Sequence, residues 1–140
     1  MPTIDVQLIN RKIKLIDEDL RLLKKYKSLT LDEYLNNSES KLIIERLLEK
    51  ITGQVIDINY HILKEEYETT PTDYYSSFID IGKNKIITEK FAIEMAKSTG
   101  LRNALAHNYE KINDELVFNS IKTALTQVPS YLSKILEFLK

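Results

Sequence analysis

The sequence predicts an all-α fold, an up-and-down bundle of four to five helices, and two observations carry that prediction. Apolar residues recur at separations of three and four over long stretches, the spacing of a helix face that turns about 100° per residue. Only three Gly and three Pro occur in 140 residues, too few for the tight turns of a β-sandwich or barrel. A chain of this length can bury a core without disulfides or a structural metal, and residues 1–140 are expected to form one helical domain.

The first expected helix runs from Thr3 to about Tyr26 on a stripe of Val6, Ile9, Ile13, Ile16, Leu20 and Leu23, widened by Leu8, Leu15 and Leu22. Thr3 is its expected N-cap, with Asp5 in the first turn, where a negative charge suits the helix dipole. Ser28 to Asn37 is a connector with room for one helical turn at Leu31 to Leu35. The second helix, from Ser38 to about Tyr67, carries Ile44, Leu47, Leu48, Ile51, Val55, Ile58 and Ile62 and is the longest. Thr70, Pro71 and Asp73 suit the N-cap, N1 and N3 positions of a short third helix ending near Gly82.

A basic loop, Gly82 to Lys85, precedes a fourth helix that starts at Thr88 and Glu89, and Gly100 is the expected site of a break or kink in it. Asn113 caps the last helix, whose stripe is Phe118, Ile121, Leu125, Val128, Leu132, Ile135 and Leu139; Pro129 should kink it near Leu125. The stripes of the first, second and last helices are wide enough to cover a second copy of the chain as well as the core, so a homodimer is expected.

Hydrophobic residues make up 43% and charged residues 29% of the chain, a globular balance that argues against wholesale disorder. The absence of cysteine excludes disulfides, thiolate chemistry and cysteine-based zinc sites. The two histidines, His61 and His107, are not at ligand spacing, and no metal or cofactor is expected. There is no run of about 18 apolar residues and no signal-peptide pattern at the N-terminus, so a cytoplasmic protein without a membrane partner is expected. A net charge of −1 gives no global footprint for nucleic acid, and any such contact must be local.

The one dense cluster of reactive side chains is Gly100 to Tyr109. On a helix, Leu101, Ala104 and Leu105 share the core face, while Arg102, Asn103, His107 and Tyr109 fan over the other side as a shallow polar groove around small Ala106. Arg offers a permanently charged planar fork matched to phosphate oxygens. His exchanges protons between about pH 5 and 8. Together they suit phosphodiester cleavage without a metal. Imidazole takes the proton of an RNA 2′-hydroxyl or gives one to the leaving 5′-oxygen, and guanidinium stabilises charge growing on the phosphoryl oxygens.

Asn103 can hold phosphate or the imidazole, and Tyr109 can donate a hydrogen bond or stack on a base. One chain supplies one groove histidine where a base and an acid are both useful, a second reason to expect two copies across a two-fold axis. The bland alternatives are Tyr109 as a helix-end aromatic closing the core, Asn103 as a local cap, and Tyr74 and Tyr75 as core or interface residues. His61, between Tyr60 and Ile62, is expected to be structural, and Lys83 and Lys85 to be solvated loop charges.

Arg102-Asn103-x-Leu105-x-His107-x-Tyr109 resembles the Arg-x4-His-x-Tyr signature of HEPN domains, specifically of the HepT-like toxins encoded beside a small MntA-type nucleotidyltransferase antitoxin. The motif lies between the fourth and last helices of a chain with that family's length, helix order and late proline. The resemblance implies a HEPN-like homodimer whose paired motifs line an interface cleft and cleave RNA without metal. It implies that Arg102 and His107 are the catalytic pair, that Asn103 holds a polar position common after the Arg, and that Tyr109 is the tyrosine the antitoxin modifies with AMP. The alternative function is a non-catalytic module whose groove binds a nucleotide or the partner enzyme.

Overall fold

The computed structural model describes residues 4–107 and 112–140. They form an up-and-down bundle of seven helical segments: α1 (Val6–Lys24), α2 (Leu31–Leu35), α3 (Ser38–Tyr67), α4 (Tyr74–Lys83), α5 (Glu89–Ala96), α6 (Ser98–His107) and α7 (Asp114–Phe138). The count exceeds the expected four to five for two local reasons. The connector does make a helical turn, α2, because Thr30 and Glu33 close a reciprocal capping box. The expected fourth helix divides into α5 and α6.

α3 is the axis of the bundle and packs against α1, α2, α4, α6 and α7. Its burial follows from its sequence: Ile44, Leu47, Leu48, Ile51, Val55, Ile56, Ile58, Ile62 and Leu63 spread beyond a single stripe and are all buried. Each such side chain removed from water contributes about 1.5–3 kcal/mol. α1 lays Ile9, Ile13, Ile16, Leu20 and Leu23 on this axis. α7 meets it through Val117, Ile121, Val128, Tyr131, Leu132 and Ile135. Phe118, Leu125 and Leu139, expected on the same stripe, are only partly buried, because Val117 and Tyr131 turn the buried face of α7 back by one position.

Several start and stop signals differ from expectation. Thr3 lies outside the described residues; the cap of α1 is Asp5, whose side chain accepts the amide of Leu8 at 2.9 Å. α4 starts after Asp73 and not at Thr70. The Asp73 carboxylate accepts the Ser76 amide at 2.7 Å, a charge-assisted bond that outcompetes a threonine hydroxyl.

The break in the expected fourth helix falls at Lys97, ahead of Gly100, which sits within α6 with open space where a Cβ would project. Ser98 and Thr99 explain it: their hydroxyls donate to the carbonyls of Met95 and Ala96, at 2.7 and 2.8 Å, and compete with the backbone for those acceptors. α7 is continuous through Pro129, which cannot donate to the Leu125 carbonyl. Ser38, Thr88 and Asn113 lie where the sequence places helix starts. Among the described residues, no helix is long and apolar enough to cross a membrane.

Candidate active site

α6 carries the site, and one residue fixes it. Leu105 is 1% exposed and holds α6 against α3, while Leu101 and Ala104 are half-buried beside it. With that face docked, Asn103 and His107 are left exposed, and His107 ends the helix.

Arg102 departs from the expected groove. It does not fan into open solvent; it is half-buried, and its guanidinium carbon lies 5.1 Å from the centre of the Tyr74 ring on α4. Its Nε is buried with no hydrogen-bond partner among the described residues. Among the described residues, no carboxylate pairs with it. A cation held this way is stabilised by the ring quadrupole yet keeps its full charge and the outer edge of its fork for an anion.

Tyr74 is itself held from three sides. Its ring meets that of Tyr60 edge-on at 6.0 Å. Asp73 caps the turn in which it stands. Its carbonyl accepts the Ser77 hydroxyl at 2.7 Å, and Ser77 accepts in turn from Asn59 Nδ2 at 3.2 Å. Asn59 Oδ1 accepts the hydroxyl of Tyr131 from α7. A buried polar chain thus runs from α7 through α3 to the first turn of α4. Burial pushes the Tyr60 phenol above its ordinary pKa, with Tyr74 and Asp73 adding to the shift, and the fully buried Tyr131 is pushed up well beyond.

The structure brings Arg102 to Tyr74 and does not bring Arg102, Asn103 and His107 together: no hydrogen bond or ion pair among the described residues joins them. Tyr109 lies outside the described residues. His61 is structural, its Nε2 accepting the Asp5 amide at 2.8 Å where the chain enters α1. A cleft of about 430 Å3 lined by Met95, Leu101, Leu116 and Val128 lies between α3, α5, α6 and α7, but its lining includes neither Arg102 nor His107. No group of three or more His, Cys, Asp or Glu able to hold a metal ion occurs among the described residues. Tyr74 had no sequence signal as a partner of Arg102, since two residues far apart on different helices leave no periodic trace.

Comparison with known proteins gives consistent results. Residues 16–135 match the family described as Ribonuclease HepT-like. The chain is 40% identical over 139 residues to a tRNA nuclease HepT of Aphanizomenon flos-aquae, covering 99% of this chain and 95% of that one. It is 26% identical over 88 residues to an mRNA nuclease HepT of Shewanella oneidensis, covering 63% and 66%. Its fold is similar, with a TM-score of 0.82 at 21% identity over 91% of this chain and 96% of the other, to a tri-AMPylated Shewanella oneidensis HEPN toxin in complex with its MNT antitoxin.

Proposed function

The chain belongs to the ribonuclease HepT-like family, and on that premise we propose that it is a metal-independent RNA endonuclease acting as a cytoplasmic toxin. Its active cleft is formed by Arg102 and His107 from two protomers. The observation that carries this reading is the guanidinium of Arg102, seated on the Tyr74 ring and, among the described residues, paired with no carboxylate. A half-buried cation held by an aromatic face and not by a carboxylate keeps its charge for an anion, and RNA phosphate is the anion that the related nucleases act on.

In the cleft, one His107 accepts the proton of the substrate 2′-hydroxyl as its oxygen attacks phosphorus. The partner copy, in its protonated form, gives a proton to the departing 5′-oxygen. The products are a 2′,3′-cyclic phosphate and a free 5′-hydroxyl, so protons balance across the two imidazoles. Arg102 binds the phosphoryl oxygens as charge builds on them, and Asn103 hydrogen-bonds phosphate. Two copies are needed because Arg102 and His107 diverge on α6. The apolar surface left on α1, α3 and α7, including Leu15, Leu22, Ile43 and Leu136, is available to cover a second chain.

Tyr109 is the regulatory residue. The antitoxin, a nucleotidyltransferase, transfers adenylyl from ATP to its phenolic oxygen, releasing pyrophosphate and a proton. The added phosphodiester carries negative charge to the cleft, where it competes with substrate for Arg102. The AMPylated toxin among the structural neighbours supports this assignment.

The test is RNA cleavage by purified protein in EDTA. Wild type should cleave and Arg102→Ala and His107→Ala should not; wild-type rates in His107→Ala would sink the catalytic assignment. Intact mass after incubation with antitoxin and ATP should rise by whole adenylates, and Tyr109→Phe should show none. A non-catalytic module would bind RNA or antitoxin and cleave nothing.

A further inference from the structure

We propose that Tyr74 is the positioning residue for Arg102: its ring seats the guanidinium for phosphate without neutralising it, the Tyr60 ring braces it edge-on, and the buried Tyr131–Asn59–Ser77 chain anchors the backbone that carries it. This rests on reading Arg102 as the phosphate-binding cation of the site.

Three observations converge on it. First, among the described residues Arg102 Nε is buried without a hydrogen-bond partner, and the charged group rests against the Tyr74 ring 5.1 Å away. An arginine side chain has several rotatable bonds and loses its geometry when nothing holds it. A carboxylate would hold it but would also cancel the charge and raise the cost of exchanging that partner for phosphate. An aromatic face holds the planar group and leaves the fork's edge free.

Second, Tyr74 is a fixed support. Tyr60 stands edge-on to its ring at 6.0 Å, and its backbone is tied at 2.7 Å to Ser77, a residue with no exposed surface. Third, that tie continues through Asn59 to Tyr131, so the seat is referenced to α3 and α7 and not to a surface turn. Tyr74 remains 37% exposed, so the seat is not closed off from solvent.

The experiment compares wild type with Tyr74→Leu, Tyr74→Phe, Arg102→Ala and the Arg102→Ala/Tyr74→Leu double variant. Cleavage of bulk tRNA in EDTA is read alongside the Nε–Hε resonance of Arg102 in 15N-labelled protein. Tyr74→Leu should lower kcat about tenfold with little change in KM, the size expected for losing a partly buried cation–π seat. Tyr74→Phe, which keeps the ring, should recover most of the rate. The double variant should be no slower than Arg102→Ala alone, because Tyr74 acts through Arg102.

The upfield ring-current shift of the Arg102 resonance should persist in Tyr74→Phe and vanish in Tyr74→Leu. A Tyr74→Leu enzyme that turns over like wild type, or a double variant whose losses multiply, overturns the proposal while leaving the nuclease reading intact. Absence of cleavage by wild type would count against the nuclease reading instead. The Arg102 resonance then still decides whether the ring seats the cation.

Discussion

Tyr131 donates its hydroxyl to Asn59 Oδ1 in the middle of the bundle, whereas the equally buried hydroxyl of Tyr34 has no hydrogen-bond partner among the described residues. One chemical group therefore has opposite worth at two places in the same core. Removing the Tyr131 hydroxyl leaves a buried amide oxygen without its donor, while removing that of Tyr34 relieves a desolvated group.

Tyr131→Phe should accordingly destabilise the protein by about 1–3 kcal/mol and Tyr34→Phe should stabilise it by about 1 kcal/mol. Urea unfolding of both variants at neutral pH measures the two signs. The Tyr34 ring is retained in Phe and still meets Phe118 at 5.7 Å, so packing is conserved in the comparison. A loss of stability in Tyr34→Phe would show that its hydroxyl is bonded in solution.

Glu45 sets a pH dependence. Burial raises its carboxyl pKa above the usual value, the nearby Asp114 carboxylate adds to the rise, and Lys41, which pairs with Asp114 at 2.9 Å, opposes it. A raised folded pKa means the native state holds this proton more tightly than the unfolded chain. The associated stability is complete below the ordinary glutamate range, near about pH 4, and is lost as pH rises through the raised value. Glu45→Gln should match wild type in urea midpoint at low pH and exceed it at pH 7. A wild type that gains on the variant as pH rises would mean that attraction to Lys41 outweighs burial.

Two glycines separate close packing from helix propensity. A Cβ at Gly82 would stand 2.6 Å from the Ala92 Cβ, where α4 and α5 press together, while one at Gly100 would meet nothing within 4 Å. Gly82→Ala should cost roughly 1–3 kcal/mol, as overpacking does. Gly100→Ala should add up to about 1 kcal/mol through the better helix propensity of alanine. Thermal unfolding reports both, and Gly100→Ala should leave RNA cleavage unchanged.

What the sequence revealed and what it hid follow from the range of each signal. α1, α3 and α7 were readable because a long stripe repeats the same message many times, and Asn113 and Thr88 because a cap acts within its own first turn. Motif spacing singled out Arg102 and His107 as candidates, and the structure sets them apart on α6, one half-buried and one exposed. The division at Lys97 is not legible because glycine is the stronger helix-breaking signal in sequence, whereas here the Ser98 and Thr99 hydroxyls take the last carbonyls. The burial of Arg102 escaped because its partner, Tyr74, comes from another helix, and only the packing of α4 and α6 around α3 brings them together.

The divergence of Arg102 and His107 on α6 yields a prediction about subunits. Arg102 turns inward to Tyr74 while His107 is exposed at the helix end, so a cleft that needs a base and an acid must draw its second imidazole from another chain. Mixing wild type with about a tenfold excess of His107→Ala, and allowing subunits to exchange, places most wild-type chains beside an inactive partner. Each mixed dimer keeps both arginines and loses one proton carrier, a loss of typically 10²–10⁴ in rate. Cleavage per wild-type chain should therefore fall about tenfold, towards the share of wild-type chains still paired with each other. Initial rates of RNA cleavage in EDTA, taken before and after exchange, give the measurement. Rates proportional to the wild-type chains alone would mean that each protomer works by itself.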